Sequence, residues 1–389
     1  MKTYGQDLNF LSDHQVGIME LKRDEKARLI VAPCYQGRVM TSTAGGLFGT
    51  SLGWINRDHI GSGSLNYKFN PFGGEERLWI GPEGGPFSWF FRKGEEQTYS
   101  NWNVPSVIDS EAFDVKSQEE DKVSFEKRFT LRNASDRLFD MKVDRMVSLV
   151  GIDELQRCMG ASLPDELDWI AYRTENKITN MSDFPWTKET GMPSLWLLGM
   201  YEPTVGTTVF IPFDNEYEGE KVNAGYFGDM PSGRLFLDDG MAYFKIDGEF
   251  RSKIGLPSGS AGDICGSYDP VSGILTILKF SLPSEPSSYV NSQWGFQNDH
   301  FSGDVINAYN DGPTETGDVM GPFYEMETSS PGAELPENGT LAHIQYTIHI
   351  QGNERQLRKV AYEVFGADLN KAERIFRNIT FMENEKAMQ

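Results

Sequence analysis

Cysteine is scarce in this sequence. Cys34, Cys158 and Cys265 are the three cysteines among 389 residues, and they lie far apart along the chain. An odd, sparse set of this kind forms neither a disulfide framework nor a metal-ligand pattern. We therefore expect free, buried thiols, and the apolar run LIVAPCY around Cys34 supports this expectation.

Positive charge is also in short supply. The chain has 36 Lys and Arg against 57 Asp and Glu, which gives a formal net charge of −21 and a sequence pI of about 4.7. Nucleic acids and anionic lipids bind through Lys and Arg, so this charge argues against both as partners. It argues equally against polyanionic sugars and leaves neutral sugars and cations open as ligands.

Long apolar runs are missing. No stretch approaches the roughly 20 apolar residues that a membrane helix needs. The first residues, MKTYGQDLNFLSDHQ, lack the apolar middle of a secretory leader. We expect a cytoplasmic protein, with a periplasmic location as the alternative if a leader was removed before this numbering begins.

Common catalytic and metal-binding motifs are missing as well. The sequence has no nucleophile elbow, phosphate loop, dinucleotide fingerprint or zinc-binding helix. Its Asp-rich turns lack the spacing of a calcium loop. His343 and His349 lie roughly 20 Å apart in an extended strand, which is too far to bind one metal. We therefore predict no metal and no cofactor.

Short alternating strands dominate the chain. Turn signals recur roughly every eight to twelve residues, which is typical of an all-β protein. Ile274–Phe280 is apolar on both faces, so we predict a central strand there. Helical periodicity appears in Glu354–Phe365 and Asn370–Arg377. The prediction is an N-terminal arm at 1–15, one large β-domain at 16–352 and a C-terminal helical segment at 353–389.

The stretch 72–91, FGGEERLWIGPEGGPFSWFF, combines glycine, charge and large aromatic residues. In a strand, Arg77 and Trp79 lie on one face. Trp79 with Trp89 would form an aromatic platform for a sugar ring, and Arg77 with Glu83 would bind its hydroxyl groups. An Arg–Glu pair that braces a hairpin turn is the alternative.

Two carboxylates share one face of a second stretch, Phe323–Pro331 (FYEMETSSP). In an extended strand Glu325 and Glu327 lie about 7 Å apart on the same side. Their repulsion raises the pKa of one of them, which suits a general base near neutral pH. A solvated strand face is the alternative.

The segment Tyr289–Asp311 is dense in aromatic and amide side chains, the mixture expected of a loop that binds polyhydroxyl ligands. Trp294 and His300 are its candidates, with His300 as a proton donor or hydroxyl ligand. His59, in the loop NRDHIGSG, is a further candidate. A well-packed polar loop and a surface histidine are the alternatives.

Several of these motifs resemble a known superfamily. Gly73–Gly85 (GGEERLWIGPEGG) resembles the Gly-Gly…Arg-x-Trp…Pro-Glu signature of bacterial proteins built like galactose mutarotase, the aldose 1-epimerase-like superfamily. Tyr35–Thr43, Thr187–Met200 and the run FYEMETSSPGAELPENGTLAHIQYTIHI extend the likeness over most of residues 16–352. The resemblance points to an uncharacterised bacterial branch, and it implies a β-supersandwich fold.

The resemblance also implies a chemistry. In mutarotases a Glu takes the proton of the anomeric hydroxyl while a His protonates the ring oxygen, and the opened ring recloses on its other face. Carried over, Glu327 matches the base and Glu325 is the adjacent fallback. The two-His pattern of the epimerases is not found at matching positions, and His300 and His59 are its substitutes.

The sequence therefore predicts a protein that binds neutral mono- or oligosaccharides, with epimerisation by Glu327 as base and His300 as acid. A non-catalytic sugar-binding protein, a glycoside-cleaving enzyme with a carboxylate pair and a purely structural β-scaffold stay open as alternatives. Oligomeric state stays open too. We expect the site residues to meet on one concave face: Arg77, Glu83, Trp294, His300, Glu325 and Glu327.

Overall fold

The computed structural model describes residues 2–314, 317–371, 373, 374 and 376. Within these residues the chain forms three antiparallel sheets, which confirms the predicted all-β class. The smallest sheet has three strands: β1 (Met19–Lys22), β2 (Arg28–Ala32) and β3 (Arg38–Thr43).

A ten-stranded sheet forms the back of the molecule. Its strands are, in spatial order, β11 (Leu235–Asp238), β12 (Met241–Lys245), β10 (Thr208–Pro212), β14 (Ile264–Asp269), β15 (Ile274–Phe280), β18 (Thr340–Gln351), β8 (Asp168–Asn180), β7 (Leu138–Leu149), β6 (Lys122–Arg132) and β5 (Asp114–Gln118). β15 lies inside this sheet between β14 and β18, so the central strand predicted at these residues is confirmed.

A five-stranded sheet packs in front of it. Its spatial order is β13 (Ser252–Pro257), β16 (Asp304–Asn310), β17 (Tyr324–Ser329), β9 (Ser194–Tyr201) and β4 (Arg77–Gly81). Leu278 and Val209 of the large sheet share one buried cluster with Ile254 and Met326 of the five-stranded sheet. The two sheets therefore stack face to face around a common core, as in a β-sandwich.

Four α-helices lie among the described residues: α1 (Tyr4–Asp13), α2 (Arg57–Ser62), α3 (Ile152–Met159) and α4 (Glu354–Phe365). α1 begins with a capping box formed by Thr3 and Gln6, and its Tyr4 and Leu11 are buried against the three-stranded sheet. No described helix is long and apolar enough to cross a membrane.

α4 has the bounds that the periodicity predicts. Asn353 caps its N-terminus, and Leu357, Val360 and Ala361 pack against the ten-stranded sheet. The second predicted helix, Asn370–Arg377, lies partly outside the described residues. The domain boundaries at 15/16 and 352/353 stay predictions.

Two local expectations are wrong. α2 falls where the sequence predicts a loop, because the Asn56 side chain accepts the backbone N–H of His59 and caps the turn. All three cysteines are free, but Cys34 and Cys158 are partly exposed, and only Cys265 is fully buried.

Candidate functional site

The candidate site lies on the face of the five-stranded sheet that points away from the ten-stranded sheet, and the register of the strands decides which side chains it contains. We call this surface the site face. Residues directly opposite one another in neighbouring strands project to the same face. One such row crosses four strands, with the pairs Arg77–Leu198, Leu198–Glu327 and Glu327–Asn307. The next row contains Met200, Glu325, Tyr309 and Lys253.

Arg77 and Glu325 form a buried ion pair in this face. Arg77 Nη2 lies 2.8 Å from Glu325 Oε1, and the two side chains are 5% and 8% exposed. The guanidinium also lies 4.1 Å from the ring centroid of Trp79. Burial raises the pKa of Glu325 to about 7; Arg77 opposes this shift and Glu327 adds to it.

Glu327 is held by two donors on one of its oxygens. Trp196 Nε1 and Lys253 Nζ each donate to Glu327 Oε2 at 2.9 Å. Lys253 Nζ also lies 5.1 Å from the Trp196 ring and 5.4 Å from the Tyr226 ring. These two donors fix the orientation of the Glu327 carboxylate. Its other oxygen, Oε1, is buried and has no hydrogen-bond partner among the described residues.

Glu83 reaches this face from the turn after β4. Its Oε1 accepts a hydrogen bond of 2.8 Å from Trp102 Nε1. Burial raises the pKa of Glu83, while Lys253 opposes the shift and Glu327 adds to it. The alternative of an Arg77–Glu83 pair is wrong, because Arg77 pairs with Glu325 and Glu83 bonds to Trp102.

Glycine allows the turn that carries Glu83. A Cβ at Gly84 would lie 2.1 Å from the carbonyl oxygen of Gln293, and Gly85 adopts a positive φ of 73° against the Gln297 side chain. Only glycine tolerates such close approach and this backbone conformation without strain. The turn is thereby pressed against the 291–300 loop that carries Trp294.

Asp304 is a third carboxylate near Lys253, in addition to Glu83 and Glu327. Tyr226 Oη donates to Asp304, and Asn307 Nδ2 donates to Tyr226 Oη at 3.1 Å. Burial raises the pKa of Asp304, and Lys253 opposes that shift. Lys253 therefore lies among three acids, Glu83, Asp304 and Glu327.

Four buried polar atoms of this face have no hydrogen-bond partner among the described residues. Arg77 Nε, Arg77 Nη1 and Trp79 Nε1 are donors, and Glu327 Oε1 is an acceptor. Buried polar groups are normally paired, so such a cluster indicates a place where a polar ligand binds. A ligand that matches it must both accept and donate hydrogen bonds, as hydroxyl groups do.

The two candidate histidines have contacts elsewhere. His300 Nδ1 lies 3.1 Å from Gln297 Oε1, and its ring lies edge-on to Phe87 at 5.9 Å. His59 lies on α2 with its ring 5.1 Å from Phe72. None of these described contacts involves a carboxylate of the site face.

Trp89 does not form the expected platform with Trp79. Its Nε1 donates to the Gly81 carbonyl at 2.8 Å, and its ring packs edge-on to Phe139 in the core. Trp196 takes that place instead, because it lies opposite Trp79 in the sheet, with the two rings 5.6 Å apart. Trp196 is not among the site residues predicted from the sequence, although it lies in the segment Thr187–Met200 that carries part of the resemblance.

A fully buried network fixes the strand that carries Arg77. Glu76 accepts from Arg145 at 2.8 Å and from Gln345 at 2.9 Å, which ties β4 to β7 and β18 of the large sheet. The neighbouring Glu75 lies 2.7 Å from His349 Nε2. Both acids belong to the motif GGEE, which directly precedes β4.

Solved structures with a similar fold cover most of the chain. A protein from Escherichia coli K12 provisionally assigned as an aldose 1-epimerase is 10% identical over 86% of this chain and 99% of its own, with a TM-score of 0.50. A galactose mutarotase-like protein from Lactobacillus casei ATCC 334 is 11% identical over 86% and 99%, with a TM-score of 0.43. A galactose mutarotase related enzyme from Lactobacillus acidophilus is 7% identical over 86% and 97%, with a TM-score of 0.46.

The similarity to the Escherichia coli protein confirms the predicted fold, a galactose mutarotase-like β-supersandwich. No curated protein matches the sequence. One family model spans residues 2–376, nearly the whole chain. The chain therefore belongs to DUF6786, a family of unknown function.

Proposed function

We propose that the site face binds a neutral sugar and interconverts its anomers. The observation that carries this proposal is the set of unpartnered buried atoms on Arg77, Trp79 and Glu327. Binding sites for small molecules combine aromatic walls with a few convergent polar groups, and a pyranose offers hydroxyls to the polar groups and an apolar face to an indole. The fold shared with the Escherichia coli protein supports the same reading.

The charge of the face favours an uncharged ligand. Two cations, Arg77 and Lys253, meet a larger number of acids, and the whole chain carries a net charge of −21. A phosphate or carboxylate on the sugar would be repelled at short range. The acids on or beside the face are Glu83, Asp304, Glu325 and Glu327.

Glu327 is the base in this proposal. Its Oε2 is held by Trp196 and Lys253, so Oε1 is the oxygen that can take the proton of an anomeric hydroxyl. Loss of that proton breaks the bond between C1 and the ring oxygen and gives an open-chain aldehyde. Rotation about the C1–C2 bond and the reverse proton transfers then close the ring with the opposite configuration.

The ring oxygen needs a proton donor when the ring opens. His300 is the donor in the sequence-based mechanism, and its described contacts are to Gln297 and Phe87. The Lys253 ammonium lies 2.9 Å from Glu327 Oε2. Contact with the base therefore favours Lys253 as the donor, and Glu325 stays as the fallback base.

The exchange rate between the α- and β-anomers of glucose, galactose, mannose and xylose, measured by NMR, tests the proposal. We expect acceleration of at least one sugar by the wild type and a loss of about 100-fold or more in Glu327→Gln. Glu337→Gln, at an exposed Glu outside the face, is the matched control and should keep the rate. An unchanged rate in Glu327→Gln would refute the assigned role.

Glycoside cleavage is a second candidate, and one observation favours it. Burial raises the pKa of Glu325 to about 7, Glu327 lies beside it in the same strand, and glycosidases use a pair of neighbouring carboxyl groups. Release of nitrophenol from nitrophenyl glycosides would reveal this activity. Sugar binding without either reaction would leave the third reading, a non-catalytic carbohydrate-binding protein.

A further inference from the structure

A row of aromatic rings leads from Glu83 to the protein surface. Trp102 donates its N–H to Glu83, and its ring is nearly parallel to the rings of Tyr99 (6.0 Å, 20°) and Trp294 (6.2 Å, 29°). Trp102 is 7% exposed, whereas Trp294 is 37% exposed and Tyr99 is 70% exposed. Trp102 therefore connects the site face, through Glu83, to two rings that reach solvent.

Hydrogen bonds hold the loops that carry these rings. Gln97 Oε1 accepts from the backbone N–H groups of Gly85 and Gly295, both at 2.8 Å, and so joins three loops at one point. Lys68 Nζ donates to the Tyr99 carbonyl at 2.6 Å and lies 4.9 Å from the Tyr99 ring centroid. Large aromatic rings displayed together on braced loops mark a binding surface.

A groove of about 510 Å³ adjoins the row. Phe91 forms part of its wall and contacts Trp294 edge-on at 5.2 Å. Asn103 lines the groove with a buried Oδ1 that has no partner among the described residues. Tyr67, which is 80% exposed, and Asn101 and Asn133 also line it.

We propose that the aromatic row and this groove form an outer subsite for the further units of a neutral oligosaccharide whose end unit lies on the site face. The inference rests on the proposed function, since it extends the ligand from one sugar ring to a chain. Exposed rings supply stacking surfaces for successive sugar units, and the amides supply partners for hydroxyls. A second protein chain is a poorer fit, because the amides and the charged side chains of Arg92, Lys93 and Arg132 interrupt the apolar surface of the groove.

Calorimetric titration with a chain-length series tests this subsite. The monosaccharide probes are glucose, xylose and mannose. Each is compared with hexasaccharides of the same sugar: the α-1,4-linked and β-1,4-linked hexamers of glucose, the β-1,4-linked hexamer of xylose and the β-1,4-linked hexamer of mannose. We expect at least one hexasaccharide to bind tenfold or more tightly than its own monosaccharide. Tyr99→Ala and, separately, Tyr67→Ala should abolish most of this difference and leave monosaccharide binding unchanged.

Tyr362→Ala is the matched control. Tyr362 is 66% exposed and lines a different groove of about 560 Å³ beside α4, so its removal should leave the chain-length effect intact. Equal affinities for hexasaccharide and monosaccharide across the series would overturn the subsite. So would equal losses in Tyr99→Ala and Tyr362→Ala, or a change of oligomeric state in Tyr99→Ala in place of a change in sugar affinity.

The two proposals fail in different ways. If wild type and Glu327→Gln both bind hexasaccharides more tightly than monosaccharides, and the wild type does not accelerate anomer exchange, the catalytic proposal is contradicted and the subsite is supported. Anomer exchange of free hexoses without any chain-length effect would support the catalytic proposal and contradict the subsite.

Discussion

At the scale of single residues, Lys253 is the side chain on which the proposed chemistry most depends. Its side chain is 13% exposed and forms an ion pair with Glu327. Its positive charge opposes the burial that raises the pKa values of Glu83, Asp304 and Glu325. In the proposed mechanism Lys253 is both the proton donor to the ring oxygen and the counter-ion of Glu327.

Replacement of Lys253 should therefore abolish catalysis. We expect Lys253→Met to lower the rate of anomer exchange by about 100-fold or more, because it removes the donor to the ring oxygen. The NMR exchange assay measures this, with circular dichroism to verify folding. Lys177→Met is the matched control, since Lys177 is 45% exposed and forms an ion pair with Glu175 at the surface, away from the site face. A Lys253→Met variant that folds and keeps the wild-type rate would exclude the proton-donor role.

The raised pKa of Glu325 predicts a pH dependence of stability. The ordinary pKa is 4.5 and the folded pKa is about 7, so between these values the folded chain holds a proton that the unfolded chain has lost. Stability should therefore fall as the pH rises through this window, with a slope from this group of at most about 1.4 kcal/mol per pH unit.

Urea unfolding at several pH values between 4.5 and 7 measures this slope in wild type and in Glu325→Gln. The difference between the two curves isolates Glu325 from the rest of the acidic surface. Parallel curves would show that Glu325 has an ordinary pKa in the folded protein.

At the scale of elements, β4 is held in place by the buried Arg145–Glu76 pair. Both side chains are fully buried, and burial raises the pKa of Glu76 while Arg145 opposes that shift. Removal of one partner leaves an uncompensated charge in the core. The position of Arg77, one residue after Glu76, depends on this anchor.

Arg145→Met should thus destabilise the fold by roughly 3–5 kcal/mol. The double variant Arg145→Met/Glu76→Gln should recover part of that loss, because no charge is then left unpaired. Arg128→Met is the control: its pair with Asp140 is 59% and 28% exposed, so we expect a much smaller loss of stability than in Arg145→Met. Equal losses for Arg145→Met and Arg128→Met in urea unfolding would contradict the anchoring role of the buried pair.

The sequence predicts this site only as far as local periodicity extends. Alternation in β17 correctly places Glu325 and Glu327 on one face, and alternation in β4 pairs Arg77 with Trp79. Lys253 carries no local signal, because β13 becomes a neighbour of β16 only through the sheet order. The ion pair of Arg77 with Glu325 spans 248 positions and is likewise invisible before the strands are assembled.

At the scale of the whole molecule, the acidic character extends from the surface into the site. The net charge of −21 and the excess of carboxylates on the site face act in the same direction on an approaching ligand. The long-range part of this repulsion is screened by salt, whereas the short-range part inside the face is not.

The protein should therefore discriminate against acidic sugars. We expect galactose to bind at least tenfold more tightly than galacturonate at low ionic strength, with the ratio falling but staying above one in 0.5 M NaCl. Calorimetric titration of both ligands checks this. Tighter binding of galacturonate would contradict the assignment of neutral ligands.

The most direct test of the central claim is a crystal structure of the wild-type protein soaked with the monosaccharide that binds most tightly. The account predicts a sugar ring against Trp79 or Trp196, with hydroxyl groups bonded to Arg77 and to Glu327 Oε1. A sugar that binds only elsewhere at saturating concentration, with Arg77 and Glu327 untouched by it, would contradict the account.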